Sequence, residues 1–291
     1  MFVLWLDEPA CQNINLTGGK AANLSRLAAN HPVPPGFCVT TTAYDAWSPA
    51  AHAGELTPPP LTEVVTAAYA ALSQQMQVDE PSVAVRSSAV REDGQNASFA
   101  GQYETYLNLV GIDAVVSSIL HCWQSAQSDR VLAYQGQKDD FSGESPLAVL
   151  VQALIPADVS FVAFSANPVT RNRDEVVINA SWGLGESVVS GTVTPDAYRI
   201  EKATPDKAWT LTEHLLSDKQ RMTIASAEGV REVKVPRTMR KKPALTEAQY
   251  VEIAQLATEL EHEMGWPVDI EGAYQGDTLY LLQCRPVSTL V

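Results

Sequence analysis

The feature that most constrains this chain is an alternation of period two near its end. It runs through Val268 to Gln275 and resumes through Thr278 to Cys284, with Gly276-Asp277 between. Helical packing cannot use such a period, and a Gly-Asp pair between two such runs predicts two short antiparallel strands joined by a tight turn. Strand side chains return to the same face every second residue, so one face can carry Asp269, Glu271, Gln283 and Arg285 together. Two carboxylates and an amide carbonyl are hard oxygen donors of the kind Mg²⁺ takes, and a guanidinium is a forked, permanently charged partner for phosphate. These residue types describe a metal-nucleotide site. They equally describe a solvated hairpin face with an ordinary ion pair, since polar alternation is the default for an exposed antiparallel face.

The 291 residues suffice for a large core and for about two domains or lobes. With 45% hydrophobic and 19% charged residues the composition is that of a globular protein. A net charge of −14 argues against a nucleic-acid surface, which needs Lys and Arg to displace counterions. An anionic ligand must therefore meet a local basic cluster. Cys11, Cys38, Cys122 and Cys284 are scattered without a CxxC pair, which points to reduced structural thiols and a cytoplasmic protein. No apolar run is long enough to span a membrane, and Phe2 to Leu6, cut short by Asp7 and Glu8, reads as a first strand.

Along the chain, Leu16-Thr17-Gly18-Gly19-Lys20 precedes an apolar-periodic stretch with Ala21, Leu24, Leu27 and Ala28 at helical spacing. Glycines before a helix let backbone amides approach an anion, and Lys20 adds a full charge. The alternative is a plain Gly-rich turn with a surface lysine, because the phosphate-cradling pattern GxxxxGK[ST] fails here. A Pro-rich turn leads into a strand over Phe37 to Thr41, and helices are expected through Trp47 and over Leu61 to Gln77. SVAVRSS, Ser82 to Ser88, reads as a strand that empties into a polar loop before a strand over Tyr106 to Val110. A loop that long in a compact domain is more often a flap over a ligand than a connector. Arg86 sits where that strand would end. Ile112 to Gln137 reads as an amphipathic helix. The polar run Lys138 to Pro146 marks a lobe boundary, giving lobes at 1–140 and 141–291. Strands follow over Leu147 to Leu154, Val159 to Ser165, Val176 to Ala180 and Tyr198 to Glu201. Arg231 to Lys242, with six basic residues, reads as an exposed connector rather than a nucleic-acid patch, an edge strand running into a linker. Thr246 with Gln249 forms a capping box for a helix to Met264.

Five ordered stretches, GGKAANLSRLA, VPPGFCVTTTAY, AVRSSAVREDGQNASFAGQYETYLNL, VVINASWGLGESVVSGTVTPD and DIEGAYQGDTLYLLQCRP, together resemble the ATP-binding domain of phosphoenolpyruvate synthase, pyruvate phosphate dikinase and rifampicin phosphotransferase. The resemblance covers about residues 10–288. It implies an ATP-grasp fold, α/β in class, with two lobes and the nucleotide between them. It implies that Lys20 and Arg86 contact the ATP phosphates, and that Thr105 and the loop from Ser98 to Gly101 close over them. Gln152 and Leu154 would border the adenine. Glu271 and Gln283 match the Mg²⁺ ligands, and Asp269 and Arg285 match polar residues beside the phosphates. Lys20, Arg86 and Arg285 are thus the expected catalytic cations. Two residues depart from the family pattern. Phe161 stands where a small glycine is common, which bears on nucleotide choice if it narrows the adenine side, and Cys284 replaces a common alanine.

Long members of the family pass a phosphoryl or pyrophosphoryl group to a histidine on a separate swivelling domain. None of His31, His52, His121, His214 or His262 lies in a Thr/Gly-rich motif of that kind. The resemblance therefore implies an ATP-binding module whose carrier histidine is supplied by a partner or by further chain. Two rivals stay open at the level of sequence. One is a self-sufficient small-molecule kinase or ligase, and the other is a regulatory module that binds nucleotide without turnover.

Overall fold

A computed structural model describes residues 1–52, 59–90, 104–126, 146–189, 191–227 and 229–290. The chain forms two compact units, Met1–Leu154 and Ile155–Val291. Each is mixed α/β and is built on an antiparallel sheet.

The first unit contains β1 (Val3–Trp5), α1 (Ile14–Leu27), β2 (Gly36–Val39), α2 (Thr41–His52), α3 (Pro59–Met76), β3 (Val83–Ala89), β4 (Thr105–Leu109), α4 (Ile112–Ala126) and β5 (Leu147–Ala153). Its sheet runs in the order β1-β2-β5-β3-β4. Central strands buried on both faces read as continuous apolar runs, and β5, LAVLVQA, is buried at every position. One face meets α2, α3 and α4 in a core that includes Phe37, Val83, Val85, Val149, Val151, Ile119 and Leu72. Trp47 and Trp123 lie 5.2 Å apart in that core, and the Trp123 Nε1–H donates to the Leu147 carbonyl at 2.9 Å, so the indole is buried with its polar edge satisfied. The division between units falls after Leu154 rather than at 140, because β5 pairs with β2 and β3 and is central to the first sheet. A polar run in the sequence marked a change of composition, but strand pairing decides membership.

The second unit contains β6 (Val159–Phe164), β7 (Glu175–Trp182), a single turn α5 (Glu186–Val189), β8 (Asp196–Glu201), β9 (Thr210–Leu215), β10 (Arg221–Ser226), β11 (Gly229–Lys234), α6 (Glu247–Met264), β12 (Val268–Gln275) and β13 (Thr278–Pro286). Six of these strands make a sheet in the order β13-β12-β6-β7-β8-β9, and β10 and β11 pair separately. The expected edge strand running into a linker over 231–242 is found in its first part: β11 is the second strand of a hairpin, paired from Arg221↔Lys234 to Ser226↔Gly229. α6 begins at the expected capping box: the Thr246 hydroxyl accepts from the Gln249 N–H, and Gln249 Oε1 accepts from the Thr246 N–H. Its stripe of Ile253, Ala257 and Leu260 is fully buried. Among the described residues no helix is long and apolar enough to cross a membrane. All four cysteines are buried and none is in a disulfide, as scattered structural thiols should be.

Candidate functional site

The expected site residues fall into two clusters, one in each unit. In the first unit the GGK stretch is a break inside α1. Gly18 has φ 73 and ψ 170, a conformation that only glycine adopts without strain. Contact leaves no alternative, since a Cβ there would sit 2.0 Å from the Ser88 carbonyl oxygen. The Ser88 hydroxyl donates to the Thr17 carbonyl at 2.7 Å and accepts from the Ala21 N–H at 3.1 Å. A serine on β3 thus caps the restarted helix as an N-cap residue would, and the Ala21 amide is spent on the protein rather than offered to an anion. Lys20 is buried two residues after the break, and its Nζ donates to the Ser87 carbonyl at 2.8 Å.

Arg86 pairs across β3 with Thr105 of β4 and with Leu150 of β5. By strand alternation Arg86 shares a face with Ser88, the face that meets α1. Thr105, opposite Arg86, lies on that face as well. So does Gln152, which stands opposite Ala84 and Gly36. The Gln152 side chain is buried, and its Nε2 donates to the Pro34 carbonyl at 3.2 Å. Leu154 follows the end of β5, with its N–H on the Ser82 carbonyl. Lys20, Arg86, Thr105 and Gln152 are therefore gathered on the α1 side of the first sheet. Ser98 and Gly101 lie outside the described residues.

In the second unit the hairpin brings the four residues to one face as expected, Asp269↔Arg285 and Glu271↔Gln283, but through a register shift between Glu271 and Gly272 that simple alternation from the turn does not contain. β12 continues onto β6 through Asp269↔Phe164 and Glu271↔Val162. α6 covers the opposite face, where the Tyr274 hydroxyl donates to Glu252 Oε2 at 2.6 Å. Asp269, Glu271 and Arg285 line a cavity of about 390 Å³ with Val162, Phe164, Asn179, Val188 and Pro195. Gln283 is buried beside Glu271 on the same face and is not part of the lining. The Arg285 Nε and Nη2 both donate to Asp269 Oδ2, at 2.9 and 2.8 Å. Asp269 Oδ1 is buried and has no hydrogen-bond partner. Burial raises the Asp269 carboxyl to about 6, outweighing the pull of Arg285 in the other direction, and the charge of Glu271 adds to the rise. A buried, half-satisfied carboxylate is costly, which is the condition of a group built to meet a ligand.

That donor set fits Mg²⁺. Among the described residues no three or more His, Cys, Asp or Glu side chains stand close enough to hold a metal by themselves. Mg²⁺ instead takes one or two carboxylates and completes its octahedron with phosphate oxygens and water. Asp269 Oδ1 and the Glu271 carboxylate would supply that minority share. The ordinary ion-pair reading of the hairpin accounts for Asp269 Oδ2 and leaves Oδ1 unexplained.

The two departures from the family pattern lie away from this cavity. Phe161 stands opposite Gly272 on the α6 side of the sheet, 6.2 Å from the Tyr274 ring. A Cβ on Gly272 would lie 2.3 Å from the phenyl ring, so glycine at 272 makes the space that Phe161 fills. Cys284 is fully buried on the same side. Both are adjustments of the core.

Two residues of the pocket region had no role in the sequence reading. Asn179 enters the lining from β7; its only sequence signal is an amide interrupting the apolar run VVINA. Asp196, next to the lining residue Pro195, is wholly buried. Its Oδ1 accepts from the Lys219 Nζ at 2.6 Å and the Ser217 N–H at 2.8 Å, and its Oδ2 from the Ala244 N–H at 2.8 Å. Asp196 thereby ties three separate segments together beside the cavity wall. Its partners are far away in sequence, so no local pattern announces it.

Comparison with known proteins shows the family of the chain. The family described as pyruvate phosphate dikinase, AMP/ATP-binding domain, matches residues 50–290. A probable phosphoenolpyruvate synthase of Pyrococcus abyssi is 36% identical over 99% of this chain and 44% of its own length. A rifampicin phosphotransferase of Streptomyces sviceus is 34% identical over 99% of this chain and 36% of its own. The prodigiosin synthesizing transferase of Serratia marcescens is 35% identical over 94% of this chain and 31% of its own. The chain spans less than half the length of each of these relatives.

Proposed function

The chain belongs to the pyruvate phosphate dikinase AMP/ATP-binding domain family, and on that premise we propose that it is the ATP-binding module of a dikinase-type phosphotransferase. It adopts an ATP-grasp arrangement, binds Mg·ATP, and passes a phosphoryl or pyrophosphoryl group to a histidine on a separate carrier domain. The observation that carries this reading is the cavity holding Asp269, Glu271 and Arg285, with a buried carboxylate oxygen left without a partner. A structural ion pair needs no such oxygen, and a metal-bound phosphate does.

In this reading Asp269 and Glu271, with Gln283 behind them, hold the metal side of the nucleotide, and Arg285 meets a phosphate oxygen. Lys20 and Arg86 add further positive charge to the phosphates, Thr105 and the segment containing Ser98 and Gly101 cover them, and Gln152 and Leu154 face the base. Bound Mg²⁺ supplies charge neutralisation and polarises the phosphoryl group. The protein's own share is positioning, exclusion of water and neutralisation of charge, which is nearly all that phosphoryl transfer asks of it. The relatives' printed names differ in the molecule made or modified, yet each includes a region similar to this chain. That supports assigning the nucleotide to this region and the final acceptor to other parts of such proteins.

The test is titration calorimetry with Mg·ATP, followed by product analysis with ATP labelled at the β and γ positions, with and without a histidine-bearing carrier domain. Mg²⁺-dependent binding and carrier-dependent AMP formation are expected. No binding at millimolar nucleotide refutes the ATP assignment. Rapid phosphorylation of a small molecule without any carrier refutes transfer to a histidine.

A further inference from the structure

The cavity of the second unit has a polar group on the side away from its carboxylates. Register places Glu271 opposite Val162 and Val162 opposite Asn179, so Gln283, Glu271, Val162 and Asn179 form one row across four strands. Neighbouring strands are spaced by about 4.8 Å, which sets the Asn179 Cα about 10 Å from that of Glu271 on the same face. Val162 is the apolar floor between them, and Val188 and Pro195 belong to the lining as well. Asn179 is half-exposed and contributes to the lining. Two residues along β7 on the same face, Ser181 is fully buried with a hydroxyl that has no hydrogen-bond partner. At the half-exposed Asn179 the amide keeps access to the cavity, whereas the Ser181 hydroxyl beyond it is drawn from water without compensation.

The span fits a chain of phosphates. A side chain reaching in from each end of a gap of about 10 Å leaves room for a tetrahedral anion between them. Acidic groups and a guanidinium already occupy one end, where metal and phosphate charges are balanced. A neutral donor suits the other, because it bonds to a phosphoryl oxygen without competing for the metal. We propose that the Asn179 side-chain amide is a phosphate-binding group, donating to the oxygens of the phosphoryl chain on the side of the cavity opposite Asp269 and Glu271. This rests on the Mg·ATP reading and deepens it, by giving the pocket a third contact that is neither metal ligand nor cation. Asn179 then reports on the length of the phosphate chain. AMP, with a single phosphate, has less to offer it than ADP or ATP.

The experiment measures affinities for AMP, Mg·ADP and Mg·ATP on the 291-residue chain, its Asn179→Ala and Asn179→Ser variants, and Asn179→Asp, with thermal melts to verify folding. A hydrogen bond to a charged group is worth roughly tenfold or more in affinity. Asn179→Ala is expected to weaken Mg·ATP by about that factor and AMP by much less, and Asn179→Ser, which keeps a donor, to fall between wild type and alanine. Asn179→Asp, which sets a negative charge against the phosphates, should lose the most. Equal losses for all three nucleotides mark general damage to the pocket and overturn the proposal. So does a folded Asn179→Ala with wild-type affinity for Mg·ATP. Wild-type chain that binds no Mg·ATP overturns the underlying ATP reading as well, so the two failures are told apart.

Discussion

Asp269 is placed where burial and function pull against each other. Its folded-state carboxyl titrates near 6, above the ordinary value of 3.8. The folded protein therefore holds that proton more tightly than the unfolded chain, and the stability from this group is full below about pH 4 and lost as pH rises to about 6. The span corresponds to a loss on the order of 3 kcal/mol. Asp269→Asn removes the titration. The urea midpoint of the wild type, taken relative to this variant, is expected to fall across that window and to stay level above it. A difference that is constant from pH 4 to 7 would contradict the assignment. Glu271 and Gln283 make a separate prediction. Groups that place a metal on phosphate act most where charge develops, so Glu271→Gln and Gln283→Ala should lower turnover far more than Mg·ATP affinity. Near-normal turnover of Glu271→Gln at saturating Mg·ATP would remove the hairpin from the metal site. For Lys20→Ala and Arg86→Ala the expectation is a direct loss of Mg·ATP binding of roughly 1–3 kcal/mol each, read by calorimetry.

Among the elements, α1 and α6 begin in opposite ways. Thr246 and Gln249 cap α6 from within their own stretch, and a capping box spans only four residues, so it is visible to anyone reading the sequence. Thr246→Ala should cost about 1 kcal/mol in denaturant unfolding and leave nucleotide affinity alone. The restart of α1 is capped by Ser88, which is 67 residues from Ala21 in the chain. No local pattern discloses that, and a Gly-rich turn before a helix suggests an anion site instead. Gly18→Ala forces a side chain into the Ser88 carbonyl at a φ that alanine avoids. It is expected to destabilise the first unit by more than ~2 kcal/mol, the scale of a strained backbone, and to weaken Mg·ATP binding because Lys20 is displaced. Thermal melts and calorimetry on this one variant check both effects. A Gly18→Ala protein with wild-type melting and affinity would show that the break is incidental.

For the molecule as a whole, a chain of net charge −14 that binds a polyphosphate must concentrate its cations. Arg285, beside the carboxylates of the second unit's cavity, is one such cation, and Lys20 and Arg86, on the α1 side of the first unit's sheet, are proposed as others. In the proposed reading the site closes on the nucleotide and keeps water from the bound phosphates until an acceptor arrives. The purified chain is therefore expected to lose ATP slowly by itself and to form AMP faster when a histidine-bearing carrier domain is added. Labelled ATP read by product analysis distinguishes this from a self-sufficient kinase, which would turn over a small molecule with no carrier present.

The sequence by itself determined the elements whose information is local. Alternation about a Gly-Asp turn is enough to make a hairpin, but unbroken pairing from Gln275↔Thr278 would set Asp269 opposite Cys284, and it is a register shift between Glu271 and Gly272, visible only in the structure, that sets Asp269 beside Arg285 and Glu271 beside Gln283. The order of five motifs was likewise legible, and with it the family. Tertiary structure decided whatever depends on partners distant in the chain. β5 joins the first sheet because its hydrogen bonds go to β2 and β3, whatever the composition before it suggests. β9 and β10, half-exposed and without a clean apolar alternation, acquire strand character from β8 and β11. Asp196 is buried because Lys219 and two backbone amides meet it. Phe161, legible from sequence as a departure with two possible meanings, resolves into the core because Gly272 leaves it the space. Periodicity records which face of an element is apolar, and only packing settles what that face meets.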